Sequence, residues 1–363
     1  MKRGVGLALI LAVLLLAFHG ALAGPPEARS SGDYEYVLDK DGTASLTRYT
    51  GHAKALSIPG IIDGHPVKAL GMDLFPKGLS VSSILIPGSV IEIGAGAFRF
   101  LDTLAAIGVI NDNPVFASSQ GVLFDKKQRL LHTYPRGREG LRYGIPRGIE
   151  AVGDSAFYQC QRLEGVYIPS GVLSIGAEAF YGCKKIANIR LPDSMHLIGG
   201  KAFAGCTGLL WMDVPKGVSL IGPGAFLRCS NLEEIWVDSD NPTYVVFNGI
   251  LVEKETKLLH TFVQKKVSAV VRIPGGIKAI GPLAFSDCFT MQEVTVPPSV
   301  ETIGEEAFAR CYGLASAHLP DGELDIRHGV FLDCFRLSMN VKEGSDAHSY
   351  AVENGIPFVM RIK

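Results

Sequence analysis

The sequence has no surplus of either charge: 35 Lys and Arg stand against 36 Asp and Glu over 363 residues, a formal net charge of −1. Nucleic-acid binders and polybasic membrane-surface proteins work through a positive excess, so both classes are excluded. Long apolar runs are missing as well. Leu7 to Phe18 is twelve residues, and a membrane-spanning helix needs about 20. Signatures of chemistry are absent in turn: no P-loop, no Gly-x-Ser-x-Gly, no His-Glu-x-x-His, and no Cys-x-x-Cys or Cys-His cluster suited to zinc. Gly94-Ala95-Gly96 runs on into Phe98-Arg99, where a dinucleotide loop requires a third glycine. Asp39-Lys40-Asp41-Gly42 lacks the third acidic ligand and the distal Glu of a calcium loop and reads as a turn. Glu233-Glu234 and Glu305-Glu306 are adjacent pairs whose side chains diverge, a poor arrangement for an acid–base dyad. No catalytic residue, metal or cofactor is therefore expected, and the chain reads as a non-enzyme.

What is present begins with a leader. Lys2 and Arg3, the apolar run, and the small-x-small triplet Ala21-Leu22-Ala23 predict a secretory signal peptide over 1–23, with Gly24 the mature N-terminus. No Cys follows the run, which speaks against a lipid anchor. Loss of Lys2 and Arg3 leaves 33 positive against 36 negative residues, so the mature net charge is −3. The expectation is an exported chain: cell surface, secreted or periplasmic.

Past the leader, 42 glycines and 20 prolines punctuate a chain that is 47% hydrophobic throughout, which points to many turns rather than long helices. The turns are periodic. Phe75, Phe98, Phe157, Phe180, Phe203, Phe226, Phe285, Phe308 and Phe331 are separated by 23 residues or by 59, and all but Phe75 and Phe331 follow an Ala. The best-formed unit is Leu163-x-x-Val166-x-Ile168-Pro169-x-x-Val172-x-x-Ile175-Gly176-x-x-Ala179-Phe180-x-x-Cys183. Each 59-residue gap is one unit plus 36 residues. The two extras match at an offset of 128: Asp112-Asn113-Pro114 with Asp240-Asn241-Pro242, and Leu130-Leu131-His132-Thr133-Tyr134 with Leu258-Leu259-His260-Thr261-Phe262. His132 and His260 fall at equivalent insert positions, which favours a structural role over a catalytic one.

Val166 and Ile168 alternate as a half-buried strand requires, with Gly165 and Tyr167 outward. Pro169 cannot donate to a ladder and stops the strand. Val172-x-x-Ile175 starts a second short segment, Gly176 is expected to turn at φ > 0, and Glu178 to Lys184 has room for one or two helical turns. One unit cannot bury its apolar side alone; stacked units share continuous ladders, which is a solenoid.

These motifs resemble the BspA-like (treponemal-type, 23-residue) leucine-rich repeat family, over most of the mature chain. The resemblance implies a β-rich solenoid, a leucine-rich-repeat arc with short strands and short helical or 3-10 turns, hairpin inserts and terminal caps. Its expected layout is an N-terminal cap over 24–70, repeats over 71–340 with inserts at about 111–146 and 239–274, and a C-terminal cap over 341–363. Tyr36-Val37 through Leu46 and Ile62-Asp63-Gly64-His65 look like the first cap, and Gly344-Ser345-Asp346-Ala347 with Asn354-Gly355 like the second. The family also implies protein binding: adhesin-like attachment to host extracellular proteins, whether matrix or plasma, or to other cells. No surface-anchor motif is seen, which keeps open a periplasmic or envelope scaffold that binds the cell's own proteins.

All seven cysteines (160, 183, 206, 229, 288, 311 and 334) sit three residues after a ladder Phe. One per turn at a fixed place favours free, buried thiols filling a small slot, although strand spacing also permits disulfides between adjacent turns. That side of the arc is expected to be the more widely splayed. Binding is expected on the opposite, sheet side. Its outward positions include Tyr167, Arg190, Trp211, Asp213, Trp236 and Arg272, with both tryptophans of the protein on adjacent strands. Trp, Tyr and Arg dominate binding hot spots. Two readings stand for these residues: a partner-binding patch, or ordinary outward positions whose rings pack across strands.

Overall fold

The computed structural model describes residues 27–361 except 264, 266 and 267; the leader segment over 1–23 lies outside the described residues. The chain winds as a solenoid in which each repeat contributes to three ladders of hydrogen bonds. The first is the sheet predicted to carry the binding face: Ala55–Ser57, Ser83–Ile86 and Ala106–Val109; then Arg142–Gly144 with Gly165–Tyr167, and Trp211–Val214 with Glu234–Val237; then Val270–Arg272, Glu293–Thr295, Ser316–His318, Ser338–Val341 and Phe358–Met360, all parallel. Between the two middle pairs, Ala187 to Arg190 keeps the alternation, with Ile189 buried and Asn188 and Arg190 exposed, but forms no regular strand. The second ladder is made of two-residue strands such as Ala151–Val152, Ser174–Ile175, Leu197–Ile198 and Leu220–Ile221.

The third ladder overturns two expectations. Glu178 to Lys184 is not helical, and this side is not splayed. Left-handed residues at Glu178 (φ 54) and Gly182 (φ 70) interrupt any helix and turn the amides of Glu178, Phe180 and Gly182 toward the next turn, where they donate to Gly200, Ala202 and Ala204 oxygens at 2.9, 2.7 and 2.7 Å. The same trio recurs from Lys201, Phe203 and Gly205 to Pro223, Ala225 and Leu227. A non-glycine residue in the left-handed region costs on the order of 1 kcal/mol, and each one here supplies an inter-turn bond in exchange. Ring centroids along Phe157, Phe180, Phe203 and Phe226 are 4.8, 5.3 and 5.9 Å apart with planes within 7°, close to the ~4.8 Å strand spacing.

Gly176 also corrects its expectation, since its φ is not positive. A Cβ on Gly176 would lie 2.6 Å from Asp154 N, and one on Gly199 2.5 Å from Ala177 N. The glycine of each Ile-Gly pair is therefore a point of backbone contact between turns. Among the described residues the single α-helix is Asp346–Glu353, capped by Ser345 Oγ accepting from His348 N. At the other end, Arg29–Ser31, Tyr34–Leu38 and Ala44–Tyr49 form an antiparallel meander. Its Asp39–Gly42 turn is closed by Asp41, whose carboxyl is held at a pKa of about 2 by hydrogen bonds from the Thr43 hydroxyl and amide and by Lys68.

The two inserts are turns of the solenoid rather than excursions from it. Each folds as three antiparallel strands (Phe116–Ser119, Val122–Asp125, Leu130–Thr133; and Tyr244–Phe247, Ile250–Glu253, Leu258–Phe262) whose last member joins the second ladder in parallel. Tyr134 then stacks on Phe157 at 5.1 Å and Phe262 on Phe285 at 5.1 Å. Both lie 23 residues before those partners, so the aromatic ladder resumes in frame. The buried apolar residues fall into three clusters whose borders coincide with the inserts.

Candidate functional site

No cluster of three or more His, Cys, Asp or Glu suited to a metal occurs among the described residues, and the buried histidines are hydrogen-bonded within the fold. His132 hydrogen-bonds Thr133 Oγ1 through Nδ1 (2.8 Å) and the Ile93 carbonyl through Nε2 (3.2 Å); His260 repeats this with Thr261 (2.8 Å) and Ile221 (2.7 Å). Each histidine splices its insert to the preceding turn, and burial lowers the pKa of both. Asn113 donates from Nδ2 to the Pro87 and Val90 carbonyls and accepts at Oδ1 from the Val115 and Phe116 amides. Asn241 makes the same four bonds with Pro215, Val218, Thr243 and Tyr244.

All seven cysteines are free thiols. The Sγ–H of Cys183, Cys206, Cys229, Cys311 and Cys334 donates to the carbonyl of the ladder Phe one turn back, at 3.0 to 3.1 Å. Burial pushes the Cys160 and Cys206 thiols up to about 12 and raises those of Cys183 and Cys229 well above the ordinary thiol value, so these groups are held as unreactive thiols.

That leaves surfaces. On the sheet face Tyr167 is 68% exposed, Trp236 52% and Trp211 38%, and Arg190, Asp213 and Arg272 are exposed as well. Register places Trp211 beside Glu234 and Asp213 beside Trp236, so the two indoles sit diagonally, each flanked by a carboxylate. Arg272 lies beyond the second insert, beside Thr295. There the face is knit by its own polar groups: Asn340 Nδ2 donates to Ser316 Oγ at 2.8 Å, and His318 Nε2 lies 3.3 Å from Ser316 Oγ and 3.8 Å from Glu293. The six predicted residues are thus accessible, with Tyr167, Arg190, Trp211, Asp213 and Trp236 gathered on successive turns and Arg272 set apart.

A second exposed feature escaped the sequence reading. Phe289, Tyr312 and Phe335 form a surface stack with centroids 5.5 and 6.2 Å apart, bordering a shallow hollow lined by Phe289, Thr290, Gln292, Gly313, Ala315 and Arg336. The signal was an aromatic residue directly after Cys288, Cys311 and Cys334.

Stacked short parallel strands over shared aliphatic and aromatic ladders define a repeat-solenoid protein, whose accessible chemistry is its surface. The chain belongs to the BspA-type leucine-rich-repeat family: six copies of that repeat match residues 143–246 and 260–346, more than half of its length. It is similar in fold to a leucine-rich cell surface protein from Faecalibacterium prausnitzii A2-165, with 24% identity, 93% of this chain and 95% of that one covered, and a TM-score of 0.56. The pneumococcal vaccine antigen PcpA is more distant, at 16% identity and a TM-score of 0.44 over 93% and 99% of the two chains. No curated protein matches the sequence significantly. No helix among the described residues is long and apolar enough to cross a membrane.

Proposed function

We propose that the chain is an exported, non-enzymatic module that binds proteins through the sheet face of residues 142–236, attaching a cell to host extracellular proteins or to other cells. The observation that carries this reading is the display of Tyr167, Trp211 and Trp236 as exposed rings on strands whose backbone is held by the repeat ladders. Rigid aromatic anchors lose little conformational entropy on binding and supply large apolar contact area. Arg190 and Asp213, exposed between them, add directional polar contacts. The cell-surface description of the F. prausnitzii neighbour supports the same compartment.

The test is capture from a panel of extracellular-matrix and plasma proteins. Trp211→Ala with Trp236→Ala should abolish capture while leaving the melting temperature unchanged; undiminished capture removes the patch as the site. Protease shaving of intact cells distinguishes surface display, in which the protein is cleaved, from a periplasmic scaffold, in which it is spared.

A further inference from the structure

The outward residues of five successive turns form two columns. One reads Arg142, Gly165, Asn188, Trp211, Glu234; the other reads Gly144, Tyr167, Arg190, Asp213, Trp236. Both columns set a glycine and a tryptophan at equal distances from the middle turn: Gly165 and Trp211 are one turn from it, Gly144 and Trp236 two. We infer that this face is self-complementary and that its occupant is a second copy of the chain, packed face to face about a two-fold axis that runs along the strand direction at Asn188 and Arg190. The inference rests on the reading that this face binds protein, and it names the partner.

Such an axis reverses the order of the turns and preserves position along the strand, as an isologous interface requires. Trp211 then faces Gly165 of the second copy, Trp236 faces Gly144, Arg142 faces Glu234 and Tyr167 faces Asp213, each pair occurring twice. The indoles project from their own strands into places where the opposite strand has no side chain. Glycine inside a strand weakens it and commonly marks the close approach of another chain or ligand. Nothing in the solenoid itself demands glycine there. A Cβ at Gly144 would meet no atom within 4 Å, one at Gly165 only Arg142 Cγ at 3.9 Å, and neither residue has positive φ. They differ in this from Gly176 and Gly199, which are crowded by the neighbouring turn.

Charge runs the same way. The first three turns and their leading edge expose Arg142, Arg162, Lys184, Lys185 and Arg190 against Glu139 and Glu164, whereas the last two expose Asp213, Glu233 and Asp238 and carry Glu234. Lys265, paired with Glu233, and the exposed Lys216 are the bases of the acidic half, which keeps its negative excess. An antiparallel copy lays the basic half over the acidic half at both ends, which favours this arrangement over a head-to-head one. Arg190, on the axis, faces Arg190 of the second copy, and each of the two lies one turn, about 5 Å along the stack, from Asp213 of the other copy, which offsets the like-charge contact.

Sedimentation equilibrium of the purified chain tests the inference. The wild type should be a dimer at micromolar concentration and dissociate on dilution. Gly144→Gln with Gly165→Gln fills both hollows without touching the solenoid core; it should weaken dimerisation at least about tenfold while leaving the melting temperature unchanged at dilutions where both proteins are monomeric. Arg142→Glu should weaken it about tenfold, and adding Glu234→Arg should return it to within about threefold of wild type. A monomeric wild type overturns the inference, as does a dimer indifferent to the glycine substitutions or to the charge exchange. A monomer that still captures a matrix protein through Trp211 and Trp236 overturns self-pairing and leaves the binding reading intact; a dimer that captures none keeps self-pairing and removes host proteins as the occupants of this face.

Discussion

At the residue scale, the repeat assigns one side chain to one task, and substitutions separate the tasks. Phe203 lies between Phe180 and Phe226 and is buried to 1%; Phe203→Ala should cost about 3–5 kcal/mol in chemical denaturation. The two kinds of glycine respond in opposite ways. Gly199→Ala drives a methyl into Ala177 N and the Gly176 backbone and should cost about 2–4 kcal/mol, at the scale of core overpacking or above. Gly144→Ala places it in open space and should be neutral to slightly stabilising, by up to about 1 kcal/mol. The thiol ladder gives a kinetic readout: in a thiol-reagent assay Cys334, half-buried at the end of the row, should react before the six fully buried cysteines, and all seven should react after denaturation. Protection of Cys334 beyond the others would contradict the ladder order.

Elements are governed by the inserts. Asn113 and Asn241 each satisfy two carbonyls and two amides in the interior. Asn113→Ala orphans all four and should cost about 3 kcal/mol or more, measured by urea unfolding. His132 and His260 give the inserts a pH dependence whose sign is fixed by burial. Their folded pKa values lie below the unfolded value of about 6.5, so the unfolded state binds more protons between the two. Their contribution is complete above the unfolded pKa and is lost as pH falls through that window. Each histidine should add a slope approaching about 1.4 kcal/mol per pH unit, and His132→Gln with His260→Gln should flatten the acid limb of a stability–pH profile. The Asn-Pro and Leu-Leu-His-Thr motifs were visible in the sequence as a duplication; that Tyr134 and Phe262 keep the 23-residue frame was countable too, but no Ala-Phe or Cys marks them.

For the whole molecule, the question is how three core clusters behave as one. Nearest-neighbour coupling governs solenoids, and the weakest coupling should lie at the inserts. One clamp crosses the second insert: Asp287, 1% exposed, takes Arg228 Nε at 2.9 Å and lies 3.4 Å from Arg310 Nε. Asp287→Ala leaves two arginines without their shared buried carboxylate. It should destabilise by about 3–5 kcal/mol and split unfolding into two phases, with hydrogen exchange rising first on one side of residues 239–262. A single unshifted transition would show that the clamp does not couple the blocks. The sheet face also belongs to this scale, because Tyr167, Trp211 and Trp236 become one surface only when successive turns align.

The 23-residue frame determined the solenoid, its inward ladders, its outward columns and the place of the cysteines, because periodic burial is written directly in residue type. Tertiary structure decided what local pattern leaves open. A glycine needed for inter-turn contact and one free of contact look alike in sequence, and Glu178 to Lys184 has the length of a helix until inter-turn bonds draw Glu178 and Gly182 into left-handed conformations. In both cases the deciding atoms lie one turn away, 22 or 23 residues along the chain.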